Sequence, residues 1–320
     1  MSSETLDAAT PAGGGTEEQR LARRAARRSP AVPALPVRLS VNKTYKLFIG
    51  GAFPRSESGR TYPVRGRDGT LLANAAMGSR KDARDAVTKA RSAFPKWSGA
   101  SAYNRGQVLY RVAELMEGRR DQFAAEVATA EGLGREQASA VVDAAIDRWV
   151  HHAGWTDKLA QVAGSANPVA GPFFNLSNIE PSGVVAVLAP QDSSLLGLVS
   201  VLAPPLSAGC TVVLLASEER PLPAITLTEV LATSDVPAGT VNVLTGRTAE
   251  IAPWLASHRD VDAIDLAGAD EELAVRCHVE SADNLKRVRT PRPEDWTALP
   301  GPSRALDFCE VKTVWHPVGL

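Results

Sequence analysis

Between residues 183 and 268, short β-branched runs alternate with longer apolar stretches, and that alternation leaves few folds open to the chain. Val184–Leu188, Thr211–Leu215, Val241–Leu244 and residues 261–266 are short and rich in Val, Ile and Leu, as strands buried on both faces are. Residues 195–206, 223–232 and 249–258 separate them, each long enough for a crossover helix. Strand, helix, strand, repeated, specifies an α/β fold with a doubly wound parallel sheet. Ligands of such sheets sit at the carboxyl ends of the strands. Here those ends are residues 189–193, 215–218, 245–247 and 267–271.

The 320 residues suffice for one large domain or two ordinary ones, and a hydrophobic content of 44% permits a sizeable core. A net charge of −1 argues against a general polyanion binder, so no nucleic-acid partner is expected. Cys210, Cys277 and Cys309 have no metal-ligand spacing. They point to a reducing compartment, with neither a disulfide framework nor a zinc site. No run of eighteen apolar residues occurs, so no membrane span is expected. The start of the chain lacks the apolar segment of a secretory leader. Cytoplasm is the expected location.

Residues 1–39 read as a disordered tail, punctuated by Gly13, Gly14, Gly15, Pro30, Pro33 and Pro36. Arg20, Arg23, Arg24, Arg27 and Arg28 would share one helical face there, which reads as a solvated charged tail. Residues 45–53 read as a hairpin turning at Gly50 and Gly51. Ser79 followed by Asp82 is a capping-box-like helix start. Helices follow with Ala83, Val87, Ala90, Phe94 and Trp97 inward, then Val108, Leu109, Val112, Leu115 and Met116, then Phe123, Val127 and Ala130. A long helix over 137–159 turns Val142, Ala145, Trp149, His152 and Trp155 inward. His151 and His152 diverge by about 100° on that helix, so packed histidines are expected rather than metal ligands.

Residues 165–172 read as a loop and 173–179 as an extended strand. After the core, residues 269–282 read as a helix and 285–288 as one more strand. Pro291, Pro293, Pro300 and Pro302 mark a linker over 290–304. Residues 305–315 alternate as a final strand.

These residues carry a family likeness. Leu47-Phe48-Ile49-Gly50-Gly51 with Phe53, Ala153-Gly154-Trp155, Glu180-Pro181-Ser182-Gly183-Val184, the course from Leu202 to Leu214, Val236-Pro237-Ala238-Gly239-Thr240 running on to Gly246, Ser257-His258-Arg259-Asp260-Val261-Asp262, Asn284-Leu285-Lys286-Arg287-Val288 and Glu310-Val311-Lys312-Thr313-Val314-Trp315 all take part. Together they resemble the NAD(P)-dependent aldehyde dehydrogenase superfamily. The resemblance implies a Rossmann-like nucleotide-binding domain over 40–289, with oligomerisation strands at 172–181 and 305–320.

The resemblance also implies losses. In the family a catalytic domain lies between the 285–288 strand and the tail strand, and carries a nucleophilic cysteine and a general-base glutamate. Here that interval is the proline-rich linker, too short for a domain. Arg289-Thr290-Pro291-Arg292 stands where the glutamate stretch would be. No residue matches the nucleophile, so no catalytic residue is assigned and the three thiols read as structural.

The positions equivalent to the family's cofactor site are Pro190, Asp192, Leu215, Glu218, Gly246, Gly268 and Asp270. Several are altered. Asp192 replaces an oxyanion-stabilising Asn, and Leu215 replaces a ribose-binding Lys. Gly268-Ala269-Asp270-Glu271-Glu272-Leu273 loses the last glycine of a pyrophosphate-binding turn. Asp270, Glu271 and Glu272 are read as helix-capping acids.

The expected protein is therefore a catalytically deficient, aldehyde dehydrogenase-like pseudoenzyme serving as a structural or regulatory subunit. It would form a homo-oligomer, or a hetero-oligomer with a full-length aldehyde dehydrogenase, through 173–179 and 305–315. No cofactor is expected, with NAD(P) if the altered site still works, and no metal. Two alternatives are an NAD(P)-dependent aldehyde oxidoreductase completed by a partner chain, and a small binding module reusing the pocket.

Overall fold

The computed structural model describes residues 16–18 and 41–319. The rest of the expected tail, including Arg20, Arg23, Arg24, Arg27 and Arg28, lies outside the described residues. From Asn42 onward the chain forms one unit. Strand β1 (Thr44–Tyr45) runs parallel to β3 (Leu71–Ala76), and β2 (Thr61–Arg65) pairs antiparallel with β3 on its other side. Pro63, Gly66 and Gly69 interrupt this region and hide both longer strands from a reading of periodicity. Of the hairpin expected over 45–53, the structure keeps the turn. Ile49 and Ala52 bridge, with Gly50 and Gly51 at φ +62° and +80°, the backbone that primed turns require. Tyr45 instead joins β3, and Phe48 exchanges backbone hydrogen bonds of 2.9 and 2.7 Å with Val243.

Five helices follow: α1 (Arg80–Ser98), α2 (Ala102–Glu117), α3 (Arg120–Glu131), α4 (Arg135–Trp155) and α5 (Leu159–Ala163). The start of α1 is the expected capping box, with Ser79 Oγ accepting from Asp82 N and Asp82 Oδ2 accepting from Ser79 N. Ala83, Val87, Ala90 and Trp97 face the core.

Strands β4 (Ser165–Asn167) and β5 (Phe173–Pro181) come next, so part of the expected 165–172 loop is a strand. The core then runs β6 (Val184–Leu188), α6 (Leu196–Ala208), β7 (Thr211–Leu215), α7 (Leu222–Leu231), β8 (Val241–Leu244), α8 (Thr248–Ser257), β9 (Ala263–Asp265), α9 (Glu271–Ala282) and β10 (Arg287–Arg289). The five strands form one parallel sheet in the order β10-β9-β6-β7-β8. The chain enters in the middle, winds outward to β8, then returns to β9, so the direction of winding reverses between β6 and β9.

Side-chain alternation divides the core. Val185, Val187, Val212, Leu214, Val241 and Val243 pack with α2, α3, α4, α6 and α7 on one face. Val184, Ala186, Leu188, Val213, Leu215, Leu244 and Ile264 pack with α1, α8 and α9 on the other. Each face buries alternate residues of the same strands, so the runs are apolar throughout.

The chain closes with α10 (Ser303–Leu306) and β11 (Cys309–Pro317). The strand expected from 305 begins four residues later, because Leu306 N donates to Pro302 O and Asp307 N to Ser303 O, closing a helical turn. Strand β11 pairs antiparallel with β5 of its own chain, from Cys309 opposite Pro181 to Pro317 opposite Phe173, in a third sheet ordered β11-β5-β4. The proline-rich stretch before it is held down rather than free. Arg148 donates to the carbonyls of Trp296 and Ala298 at 2.7 and 3.0 Å, and the buried Arg304 ion-pairs with Asp265 and Glu294.

Candidate functional site

Four strand ends meet in a cleft of about 500 Å³. Gln191 follows β6, Glu218 and Glu219 follow β7, Thr248 opens α8 after β8, and Gly268 and Asp270 follow β9. The cleft therefore lies at the winding reversal, where a doubly wound sheet parts its loops and leaves a crevice. Glu272, Leu273 and Arg276 of α9 complete its wall.

The loops are tied to one another through their own side chains. Gln191 Nε2 donates to Ala189 O at 3.0 Å, while its Oε1 accepts from Glu218 N at 2.9 Å and Ser217 Oγ at 3.2 Å. Glu218 ion-pairs with Arg247, and its Oε2 accepts from Thr248 N at 3.1 Å. That carboxylate caps the first turn of α8 and complements its dipole. Asp270 Oδ1 accepts from Leu273 N at 2.8 Å and so occupies a donor of the first turn of α9. Gly268 has no room for a side chain, since a Cβ there would lie 1.9 Å from Ala189 O. Its N donates to Leu188 O at 3.0 Å, which presses the β9 loop against the end of β6.

Of the seven positions singled out from the sequence, the cleft brings together Glu218, Gly268 and Asp270. Leu215 is instead packed in the core with Leu188, Leu244 and Ile251, so it removes a donor from the region and fills no part of the cleft. Pro190 is buried beneath the loop, and Asp192 is exposed, with its carbonyl accepting from Arg220. Gly246, at φ +143°, packs against Gly78. Reading residue by residue gave no site role to Gln191, although it lies in the 189–193 strand end, and passed over Glu219, Thr248 and Arg276. Their one sequence signal is position, since each falls just after a core strand or in the helix that follows it.

The chemistry this wall offers is acidic. Glu218, Glu219, Asp270 and Glu272 face a single lining cation, Arg276. A dinucleotide pyrophosphate needs free N–H donors and positive potential at the start of α9. Here Asp270 takes one of those donors, and Glu272 adds a second negative charge. The residues present therefore do not fit a nicotinamide dinucleotide bound through its pyrophosphate.

No thiol reaches the cleft. Cys210, Cys277 and Cys309 are all buried. Burial raises the Cys210 thiol above its ordinary range, and pushes Cys277 up to about 11 and Cys309 up to about 12. Such thiols stay protonated at neutral pH and are poor nucleophiles. Cys210 donates to Phe308 O, and Cys309 donates to Ala305 O, anchoring the last helix and strand. Among the described residues no cluster of His, Cys, Asp or Glu could hold a metal ion. Nor is any described helix long and apolar enough to cross a membrane.

Residues 54–290 match the aldehyde dehydrogenase family. Benzaldehyde dehydrogenase, mitochondrial, of Antirrhinum majus is 31% identical over 258 residues, which are 79% of this chain and 48% of that protein. Aldehyde dehydrogenase, cytosolic 1, of Elephantulus edwardii is 30% identical over 266 residues, 81% of this chain and 52% of that protein. The NAD+ complex of an aldehyde dehydrogenase from Bacillus cereus superposes with a TM-score of 0.72 at 27% identity, covering 77% of this chain and 50% of that one. The chain thus spans about half the length of the relatives it matches. The doubly wound sheet, the strand-end cleft at its winding reversal and the matched residues agree: the chain belongs to the aldehyde dehydrogenase family.

Proposed function

We propose that this chain is a catalytically silent member of its family that serves as a structural or regulatory subunit. The observation that carries this reading is the path from β10 to β11. Residues 290–308 hold no folded domain; they are pinned through Arg304 to Asp265 and Glu294, and through Arg289 to Asp307. The terminal strand nevertheless keeps its place beside β5. A reaction of this family needs an activated nucleophile and a general base, and the three thiols here are buried and protonated.

The partner is a second copy of the chain or a full-length aldehyde dehydrogenase. Phe173, Phe174, Leu176, Val311, Val314 and Trp315 remain exposed on β5 and β11, and β11 is the outer strand of its sheet. An exposed apolar edge strand invites pairing. Three buried free thiols suit the reducing cytoplasm.

The test is a calorimetric titration of the full chain with NAD+ and NADP+ at low salt, beside NAD(P)H formation with short, long and aromatic aldehydes. The strand-end cleft is walled mainly by acids, so neither saturable heat nor turnover is expected. A micromolar dissociation constant, about −8 kcal/mol, would favour instead an oxidoreductase completed by a partner chain.

A further inference from the structure

A second pocket, of about 250 Å³, opens between β1, the start of β2 and the loop over residues 54–60. Lys46, Arg55 and Arg60 line it, and no carboxylate does. Among the described residues none of these three cations makes an ion pair, whereas the neighbouring Lys43 and Lys81 pair with Glu229 and Glu57. Of the nearby acids, Glu57 is paired with Lys81, while Asp82 is held by neutral donors and keeps its charge behind Ser56. Glu57 accepts from Ser79 Oγ at 3.2 Å as well as from Lys81. Asp82 accepts from Ser56 Oγ at 2.7 Å, Glu57 N at 3.1 Å and Ser79 N at 2.9 Å.

Three exposed cations without an ion-pair partner among the described residues line one small cavity, against the single Asp82 carboxylate behind Ser56, and leave it net positive. Their mutual repulsion is relieved by an anion of two or more charges. Two guanidinium groups offer paired N–H donors to tetrahedral oxyanions, and Lys46 adds a point charge. Thr44 and Thr61 line the same pocket, and a threonine hydroxyl can donate to an oxyanion. The volume falls below that of pockets for drug-sized ligands, which excludes a dinucleotide and suits a phosphate group with few attached atoms. We propose that this pocket binds a small phosphoanion, through Lys46, Arg55 and Arg60, at a site separate from the strand-end cleft.

The experiment titrates the full chain by calorimetry with inorganic phosphate, inorganic pyrophosphate, glycerol phosphate and sulfate, at about 50 and about 200 mM salt. One saturable site is expected for a phosphoanion, severalfold weaker at the higher salt, because charge neutralisation dominates. Arg55→Gln with Arg60→Gln should weaken it at least tenfold, and Lys46→Gln alone should weaken it measurably, with the thermal midpoint of each exposed-site variant unchanged. Tighter binding of glycerol phosphate points to a phosphorylated metabolite, and tighter binding of the inorganic probes points to free phosphate. No saturable heat, or binding that survives the double variant, would overturn the proposal, whereas sulfate, a tetrahedral dianion of similar size, should bind as well. So would binding lost in Arg276→Gln, which would place the anion in the cleft.

Discussion

Arg304 donates from Nη1 to Oδ2 of Asp265, joining the last short helix to the end of β9 across 39 residues of sequence, with both side chains buried. Burial pushes the Asp265 carboxyl up, while Arg304 and Arg289 pull it back down. Glu294 bridges the same two arginines from the proline-rich stretch. The network closes the carboxyl end of the sheet at β9 and β10, and it makes residues 290–308 part of the fold.

Arg304→Ala should cost about 3–5 kcal/mol, because it leaves a buried carboxylate without its main partner. Removing both charges with Asp265→Leu and Arg304→Met should recover most of that loss, since Glu294 keeps Arg289. Urea denaturation of the two variants and the parent chain measures both effects. An Arg304→Ala chain as stable as the parent would show that the network contributes nothing.

His152 makes stability depend on acid. It is buried beside His151, Arg148 and Arg304, neither ring nitrogen has a hydrogen-bond partner among the described residues, and burial lowers its pKa to about 3. The folded chain therefore holds it neutral, while the unfolded chain protonates it near 6.5. Its contribution is complete above 6.5 and is lost as the pH falls towards 3, by at most about 1.4 kcal/mol per pH unit. His152→Leu should flatten that part of the stability–pH curve and cost little at pH 7.5. A curve unchanged by the substitution would exclude His152 as the source.

The three thiols should resist a disulfide-exchange reagent at pH 8 in the native chain and all react once it is unfolded in urea. Cys277 and Cys309 hold their protons to about 11 and about 12, so the thiolate that attacks is scarce as well as buried. Rapid native labelling of one thiol would identify a reactive cysteine that the burial argument denies.

The doubly wound core was legible in the sequence because its strands are buried on both faces, and Val184–Leu188, Thr211–Leu215 and Val241–Leu244 coincide with observed strands. Strands at 61–65 and 71–76 were not, since Pro63 and the turn glycines break their alternation. The last strand starts later than its alternation suggests because Ala305 and Phe308, three residues apart, are both buried around a helical turn, a spacing that a strand would send to opposite faces. Within the cleft, Glu218, Gly268 and Asp270 could be located from strand ends alone. Leu215 could not be placed that way, because a residue at the end of a strand can point to the core or to the crevice, and register decides. The pairing of Asp265 with Arg304 is likewise invisible in sequence, since nothing local to either residue names the other.

The subunit role rests on assembly through β5 and β11, and light scattering of the full chain, alone and co-expressed with a full-length aldehyde dehydrogenase, tests it most directly. Trp315 stacks edge-on against Phe173 with ring centres 5.8 Å apart, on a sheet face that stays exposed in the single chain. The predicted result is a mass of at least two chains, or co-elution with the full-length enzyme, lost in each case when Val311→Glu and Trp315→Glu are combined. The mass of a single chain in both settings, with no co-elution, would contradict the account.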